Sequence, residues 1–336
     1  MVRRMASDPR FRVHIKNNRA GEMVFRVTPE RYADACRRHA DAAARVDARI
    51  DWDLDDFEAS IAEAHALITW DLPTPDLGRR APNLKWIHVI GAGVEHLAPL
   101  DWLPPGVTLI NNRGIHAEKA GEYGAMALLM LSNGLPRFVS QQRGHVWDAH
   151  FATPIAGKTL LVVGAGHMGL AVARRAKGLG LKIEGIRRGG RRARHVDTMH
   201  RPDALDGLLP EADFVLVTTP LTAETRNLID RRRIGLMKPT AGLINMARGP
   251  VVDDRALAEA LTEGRLAGAI LDVFDPEPLP ATSTLWDTPN LVITPHVAGD
   301  DDVSYIPLTL DLFFENVGRS LAGRPLRNRV RPRLGY

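Results

Sequence analysis

Three polar residues in the second half of the chain each follow an apolar run that predicts a buried strand. Arg248 follows LINMA, Glu277 lies a few residues beyond DVF, and His296 follows LVITP. Open α/β sheets bind ligands outside the carboxyl ends of their strands, so we expect these side chains at one sheet edge. Arginine can hold a carboxylate and polarise a keto oxygen, histidine can supply a proton, and glutamate can orient that histidine. The set is suited to reducing a keto acid.

Each of these residues can also be explained by a structural or surface role. An arginine after a strand commonly binds backbone or solvent, and a glutamate between prolines commonly lies on the surface. A lone histidine is more often structural than catalytic. Spacing alone therefore leaves both explanations open.

A glycine fingerprint precedes these residues in the chain. Thr159–Val163 predicts a strand, GAGHMG follows it, and Lys182–Ile186 predicts a second strand after a segment of helical composition. In such a βαβ unit Gly164 permits the tight turn, Gly166 lets backbone approach a pyrophosphate, and Gly169 allows close packing of helix on sheet. The start of the helix offers N–H groups to phosphates. We therefore predict dinucleotide binding rather than a structural turn.

The end of the second strand bears on which dinucleotide binds. An acidic residue there usually accepts from the ribose 2′-OH of NAD, but this chain has Arg187 and Arg188. Guanidinium groups suit a 2′-phosphate, so we predict that NADP(H) is preferred and that NAD(H) is a possible substitute. The alternative is a solvated basic loop with Glu184 as the acidic partner, although Glu184 lies in mid-strand.

The composition is typical of a globular protein, and the length predicts two domains. The chain has 336 residues, more than one hydrophobic core usually supports, of which 45% are hydrophobic and 25% charged. A net charge of +4 favours anionic ligands, and the basic run 187–201 contains no aromatic residue, which argues against nucleic acid as a partner. Cys36 is the only cysteine, which excludes an internal disulfide and a multi-cysteine metal site.

The sequence predicts neither a secretory signal nor a membrane span. Residues 1–10 lack the apolar core of a secretory signal, and no apolar run approaches the roughly 18 residues of a membrane span. We expect a cytoplasmic protein whose partner is a small molecule, without a membrane contact and without a metal.

Strand and helix signals alternate along the chain and predict two Rossmann-like α/β domains. Four apolar runs before residue 113 indicate a smaller, flavodoxin-like substrate domain, and six after it match a doubly wound parallel sheet that binds the cofactor. ADAAARVDAR is interpreted as the end of an Ala-rich helix. We assign residues 1–112 and 303–336 to the substrate domain, since a closing helix over 303–321 is expected to return to it, and residues 113–302 to the cofactor domain. The apolar helix 116–133 is also predicted to form a homodimer contact.

Two stretches of the first domain are candidates for facing a ligand. GAGVEHL, residues 91–97, follows a strand, and its small residues expose N–H groups that suit a carboxylate, although a plain turn explains it as well. Trp70 ends another strand and is either a pocket wall or a core residue.

Several longer runs resemble the D-isomer-specific 2-hydroxyacid dehydrogenases nearly letter for letter. The signatures are NMARGPVVD (245–253), LDVFDPEPLP (271–280) and LWDTPNLVITPHVAG (285–299). LKWIHVIGAGVEHL and NNRGIHAEKAGEYG resemble the first-domain and crossing-helix segments of that family, so the resemblance covers about residues 84–300. It implies reduction of a small 2-keto acid to the D-2-hydroxy acid. The GAGVEHL loop and the arginines after the second strand are most similar to the NADPH-dependent glyoxylate/hydroxypyruvate reductases.

The resemblance implies roles for individual residues. Arg248, Glu277 and His296 match the catalytic residues of the family, with His296 as general acid/base. Backbone at Ala92 and Gly93 is expected to bind the substrate carboxylate. Cofactor contacts are implied for the fingerprint and for later strand ends, namely at His167, Met168, Thr219, Pro220, Ala247 and Asp272. Glutamate at position 277 differs from the glutamine of the related formate dehydrogenases.

Two questions stay open. Asp300, Asp301 and Asp302 follow the histidine motif where the family usually has a small or hydroxyl residue. They either cap the closing helix, which we prefer, or disfavour a bulky anionic substrate. Some transcriptional corepressors resemble the same scaffold, so a nucleotide-sensing regulator with little turnover is the alternative function. The complete Arg/Glu/His set favours an enzyme.

Overall fold

Strands and helices alternate throughout the part of the chain that the computed structural model describes, residues 10–336. Residues 1–9 lie outside it. The prediction that residues 1–10 are not a secretory signal therefore concerns almost only residues outside the described part of the chain. The strands are β1 (Phe11–Asn17), β2 (Val46–Trp52), β3 (Ala66–Thr69), β4 (Trp86–Val89), β5 (Thr108–Asn111), β6 (Thr159–Val163), β7 (Lys182–Ile186), β8 (Thr198–His200), β9 (Phe214–Val217), β10 (Gly242–Asn245), β11 (Gly268–Leu271) and β12 (Leu291–Ile293). The helices are α1 (Pro29–Arg38), α2 (Ala40–Ala43), α3 (Phe57–Ile61), α4 (Leu77–Arg80), α5 (Ala117–Ser132), α6 (Leu135–Arg143), α7 (His167–Gly178), α8 (Leu205–Leu208), α9 (Arg231–Ile234), α10 (Asp254–Thr262) and α11 (Tyr305–Leu321).

The described chain forms two compact units. One comprises the described residues as far as Ile115 together with Asp301–Tyr336, and the other comprises His116–Asp300. Each unit is built on its own sheet. Between residues 10 and 336, no helix is both long enough and apolar enough to cross a membrane.

The first unit is built on five parallel strands in the order β2-β1-β3-β4-β5. This is the flavodoxin-like order, as predicted. Helix α11 buries Phe313 and Phe314 in one cluster with Trp86 and Ile15 of the sheet. Strands covered on both faces become nearly continuous apolar runs, which explains why β3 and β4 are recognisable in the sequence.

Strand β2 differs from the sequence prediction. ADAAARVDAR is predicted to end a helix, but helix α2 stops at Ala43, and Val46 begins a strand that pairs with β1, opposite Phe11. Only Val46 of this strand is buried, because β2 lies at the sheet edge. The first sheet therefore has five strands rather than the four expected.

The second unit is built on seven parallel strands in the order β12-β11-β10-β9-β6-β7-β8. Read from β8 to β11, six of them have the 3-2-1-4-5-6 order typical of dinucleotide-binding sheets, and β12 adds a seventh strand beside β11. The sequence did not predict the short edge strand β8, which pairs with β7. Small residues let α5 approach α7, since a Cβ at Gly124 would lie 2.4 Å from Val172 Cγ2.

An aspartate organises the start of α11. Asp301 Oδ1 accepts hydrogen bonds from the backbone N–H groups of Val303 at 3.0 Å and Ser304 at 2.5 Å. Those residues directly precede the helix, whose N-cap residue Ser304 makes no side-chain cap of its own. For Asp301, the preferred capping interpretation therefore agrees with the structure.

Candidate active site

Three side chains converge at the carboxyl ends of neighbouring strands in the second unit. Strands β10, β11 and β12 are adjacent and parallel, and Arg248, Glu277 and His296 lie in the loops that follow them. His296 Nδ1 lies 2.7 Å from Glu277 Oε2, and the charge of Arg248 acts on both residues. The structure therefore brings together the three residues that the sequence predicted.

The loop after β10 is shaped by backbone contacts around Arg248. The Asn245 side chain donates to the Arg248 carbonyl at 3.1 Å and accepts from the Ala247 N–H at 3.0 Å. A Cβ at Gly249 would lie 2.3 Å from the carbonyl carbon of Phe274. Glycine at this position thus lets the arginine loop pack against the loop that carries the glutamate.

Asp272 holds the loop that presents His296. Its Oδ1 accepts from Thr294 Oγ1 at 2.6 Å and from the Val297 N–H at 3.0 Å, and its Oδ2 accepts from the Ala298 N–H at 2.9 Å. Burial raises the pKa of Asp272, although these hydrogen bonds act in the opposite direction. His296 has a φ of +54°, which non-glycine residues seldom adopt, so the loop depends on these bonds.

The histidine and glutamate favour each other's charged forms. The hydrogen bond to Glu277 raises the pKa of His296, outweighing burial and the charge of Arg248, which lower it. Burial acts to raise the pKa of Glu277, but hydrogen bonds from His296 and from the Phe274 N–H at 2.8 Å lower it below the usual value. Among the described residues none binds His296 Nε2, and the side chain is 41% exposed. That nitrogen can therefore exchange a proton with a ligand.

The glycine fingerprint forms a close turn between β6 and α7. Gly164 has a φ of +104°, and a Cβ there would lie 2.7 Å from the backbone of Thr218. A Cβ at Gly169 would lie 2.7 Å from the Gly164 carbonyl oxygen. Gly166 is the N-cap of α7 and provides no side-chain cap, so the N–H groups of the first turn suit a phosphate.

The other predicted cofactor residues lie around the same sheet edge. His167 and Met168 begin α7, Ala247 is buried beyond β10, and Thr219 and Pro220 follow β9. Thr219 Oγ1 is buried and finds no hydrogen-bond partner within residues 10–336. A buried hydroxyl of this kind usually has a partner, so the residues present fit a dinucleotide that would supply one.

Arg187 and Arg188 follow β7 at the position that usually binds the ribose. Arg188 donates to Glu224 Oε2 at 2.7 Å, and the side chains of Arg188 and Glu224 are exposed, whereas Arg187 is half-buried. Glu184 is nearly buried in mid-strand, where it pairs with His200 at 2.8 Å and with Lys182 at 3.0 Å. Glu184 is therefore engaged inside the sheet and does not lie at the strand end.

The predicted substrate residues of the first unit follow two adjacent strands. Ala92 and Gly93 lie beyond β4, and the Ala92 carbonyl accepts from Asn111 Nδ2 at 2.6 Å. Trp70 follows β3, is partly exposed, and stacks on His96 with ring centroids 4.0 Å apart. Its indole is thus not a core side chain.

Sequence reasoning missed residues that act through long-range contacts. Tyr123 on α5 places its hydroxyl 2.6 Å from Thr294 Oγ1, which in turn donates to Asp272. Burial raises the pKa of Tyr123 to about 12. The sequence shows that Thr294 lies two residues before His296. It does not show that Tyr123, which is 171 positions away, contacts Thr294. Over residues 10–336, the His, Cys, Asp and Glu side chains form no group that could hold a metal ion.

Comparison with known proteins agrees with this geometry. A family model for the D-isomer specific 2-hydroxyacid dehydrogenase, NAD binding domain, matches residues 125–298. A glyoxylate reductase of Thermofilum pendens is 37% identical over 226 residues, which are 65% of this chain and 66% of that protein. A glyoxylate/hydroxypyruvate reductase B of Pectobacterium atrosepticum is 33% identical over 268 residues, which are 77% of this chain and 82% of that protein.

A solved structure shows the same similarity over almost the whole chain. The D-isomer specific 2-hydroxyacid dehydrogenase of Xanthobacter autotrophicus, crystallised with NADPH and MES, superposes with a TM-score of 0.83 at 31% identity. The match covers 96% of this chain and 99% of that one. The second unit is thus a nicotinamide-dinucleotide-binding domain. The chain belongs to the D-isomer specific 2-hydroxyacid dehydrogenases, a family of oxidoreductases.

Proposed function

We propose that this chain reduces a small 2-keto acid of the glyoxylate or hydroxypyruvate type to the D-2-hydroxy acid, with NADPH as the cofactor. The observation that carries the proposal is the His296–Glu277 pair beside Arg248, at the carboxyl edge of a dinucleotide-binding sheet. Relatives named glyoxylate reductase and glyoxylate/hydroxypyruvate reductase support the substrate class.

His296 is the proton donor in this proposal. Its Nδ1–H donates to Glu277, which fixes the ring and favours the protonated form, so Nε2 can deliver a proton to the forming alkoxide. In the reverse direction the neutral imidazole accepts that proton. When bound, the nicotinamide supplies the hydride that reaches C2.

Arg248 provides the positive charge for the substrate. Its guanidinium acts on His296 and Glu277 and is therefore near the reacting centre. In that position it can hold the substrate carboxylate and stabilise negative charge on the keto oxygen. Carboxylate binding by the backbone N–H groups at Ala92 and Gly93 in the first unit is a separate proposal.

The preference for NADPH is assigned to the two arginines after β7. Arg187 and Arg188 can contact a 2′-phosphate. The exposed Arg188–Glu224 ion pair stabilises the protein only weakly, so a phosphate can displace Glu224 from Arg188 at little cost in free energy. Glu184 is held by Lys182 and His200, which weakens the alternative that it accepts from a ribose hydroxyl. The Xanthobacter relative was crystallised with NADPH.

A comparison of kcat/KM between the two cofactors, and of turnover among several 2-keto acids, tests the proposal. We expect purified protein to consume NADPH with glyoxylate and hydroxypyruvate, and kcat/KM to be higher with NADPH than with NADH. A clear preference for NADH would refute the assignment of the arginines. Tight nucleotide binding with negligible turnover on glyoxylate, hydroxypyruvate, pyruvate and phenylpyruvate would instead support the regulatory alternative.

We also infer that the chain forms a homodimer through the second unit. Met126 and Leu129 on α5 are exposed, and so are Trp147 and Phe151 in the segment after α6, which are 98% and 91% exposed. Large exposed apolar side chains of this kind commonly mark an interface between proteins. Light scattering at micromolar concentration is expected to give twice the chain mass, and a monomer mass would contradict the inference.

A further inference from the structure

The hydroxyl of Tyr123 lies at one end of a hydrogen-bonded chain that leads to the loop of His296. Tyr123 Oη lies 2.6 Å from Thr294 Oγ1, which donates to Asp272 Oδ1 at 2.6 Å. Asp272 in turn accepts from the two backbone N–H groups that directly follow His296. All of these residues belong to the second unit, and Tyr123 connects the loop to helix α5.

The hydrogen bonds of this chain have one direction. A threonine hydroxyl has a single proton, and that of Thr294 is donated to Asp272, so Thr294 Oγ1 can only accept from Tyr123. Burial and the charge of Asp272 raise the pKa of Tyr123 to about 12, so the phenol keeps its proton at neutral pH. Within residues 10–336 the Tyr123 hydroxyl has no other hydrogen-bond partner. The tyrosine is therefore the donor at the start of the chain.

This direction favours the ionised form of Asp272. Its Oδ1 accepts from Thr294 and from the Val297 N–H, and its Oδ2 accepts from the Ala298 N–H. A proton on Oδ1 would reverse the chain and leave the buried Tyr123 proton without an acceptor, which is unfavourable. A proton on Oδ2 would face the Ala298 N–H. The chain thus opposes burial, which raises the pKa of Asp272.

Asp272 and His296 also support each other's charged forms. The charge of His296 lowers the pKa of Asp272, and the charge of Asp272 raises the pKa of His296. Glu277 and Arg248 act on His296 from the loops after β11 and β10, and Tyr123 is the titratable group that approaches from α5. An ionised Asp272 therefore favours protonated imidazole as well as holding the loop that carries it.

We infer that Tyr123 is a positioning residue for the proton donor: acting through Thr294, its hydroxyl keeps Asp272 ionised, and Asp272 holds the loop that presents His296. This inference rests on the proposed function and extends its site to helix α5. Tyr123 acts through two intervening side chains and is not itself a catalytic residue.

Tyr123→Phe tests this inference through the pH dependence of kcat/KM for glyoxylate. When Asp272 takes up a proton at low pH, the loop loses its charged acceptor and His296 loses a supporting charge, so reduction falls. Loss of the tyrosine donor favours that protonation, so the fall is expected at a pH about half a unit higher, or roughly a threefold loss of kcat/KM on the acid side. The fall at high pH is expected to stay unchanged, because Asp272 is ionised there in both proteins.

Variants of Thr294 test whether the effect passes through that residue. Thr294→Ser retains the hydroxyl and is expected to keep the wild-type profile. Thr294→Val removes the hydroxyl, so adding Tyr123→Phe to it is expected to shift the acid fall no further. A second, additive shift in the double variant would overturn the proposed path.

Tyr32→Phe is the matched control. Tyr32 is a partly buried tyrosine of the first unit whose hydroxyl makes a hydrogen bond with Cys36 within α1, and burial raises its pKa as well. This variant is expected to keep the wild-type pH profile whatever its effect on the melting temperature. If Tyr123 had only a structural role, Tyr123→Phe would also lower the melting temperature without moving the acid fall.

The outcomes separate this inference from the proposed function. If the wild type reduces glyoxylate and folded Tyr123→Phe keeps the wild-type acid fall, the inference is overturned and the proposed function stands. NMR titration of the Asp272 carboxyl carbon, identified as the signal lost in Asp272→Asn, needs no turnover, and an equal pKa in wild type and Tyr123→Phe also overturns the inference. If the wild type reduces no 2-keto acid, the proposed function fails and the role of Tyr123 in reduction fails with it.

Discussion

Replacing Glu277 with glutamine tests whether His296 is the proton donor. Glu277→Gln keeps the size of the side chain but removes the negative charge 2.7 Å from His296 Nδ1. Reduction needs protonated His296, so kcat/KM for reduction falls as the pH rises through the pKa of His296. In the wild type the hydrogen bond to Glu277 raises that pKa, while burial and Arg248 lower it. In the variant the lowering effects dominate, so the fall moves to lower pH.

The size of the effect follows from the exposure of the pair. Hydrogen bonds to charged groups contribute about 1.5–3 kcal/mol, and the lower end applies because solvent reaches both side chains, which are 41% and 35% exposed. Since about 1.4 kcal/mol corresponds to a factor of ten, we expect reduction at neutral pH to fall roughly tenfold. Oxidation of the hydroxy acid needs neutral imidazole, so in the variant it reaches its plateau at lower pH.

The assay is a pH series of kcat/KM for glyoxylate, followed by the loss of NADPH absorbance. Asp311→Asn is the control, because Asp311 Oδ1 lies 2.7 Å from Nε2 of His39 at similar exposure but in the first unit. The control is expected to keep the wild-type profile. An unchanged profile in Glu277→Gln, or a shift to higher pH, would remove Glu277 from the mechanism.

Other substitutions test the remaining assignments. Arg248→Ala is expected to lower kcat for glyoxylate by at least about two orders of magnitude, since a fixed electrostatic donor is lost, and near-normal turnover would refute its role. Replacing Arg187 and Arg188 together with serine should reduce the ratio of kcat/KM for NADPH to that for NADH by about tenfold or more, and an unchanged ratio would exclude a 2′-phosphate contact. Asp272→Asn should destabilise the protein by about 1–3 kcal/mol because an amide nitrogen would face N–H donors, and an unaltered melting temperature would contradict this.

The strongly apolar strands were the predictable part of the fold. Thr159–Val163 and Lys182–Ile186 have the predicted bounds, because buried parallel strands are short apolar runs next to glycine turns. Strands β2 and β8 were missed because edge strands are partly exposed and lack that pattern.

The candidate site was predictable only where its residues lie in contiguous motifs. Arg248, Glu277 and His296 each follow a recognisable strand, and parallel strands bring their carboxyl ends to one edge. The Tyr123–Thr294 contact joins residues 171 positions apart, and the Thr294–Asp272 contact joins residues 22 positions apart. No local pattern encodes such pairs, since they depend on how strands and helices pack.

The central claim is that His296 delivers the proton during reduction of a 2-keto acid, and His296→Asn tests it most directly. Asparagine tolerates the positive φ of this residue and can keep a hydrogen bond to Glu277, so the loop is preserved. General acid catalysis contributes roughly 10²–10⁴-fold, so we predict that kcat for glyoxylate falls by at least about a hundredfold while NADPH still binds. A variant that binds NADPH and turns over at near the wild-type rate would contradict the account.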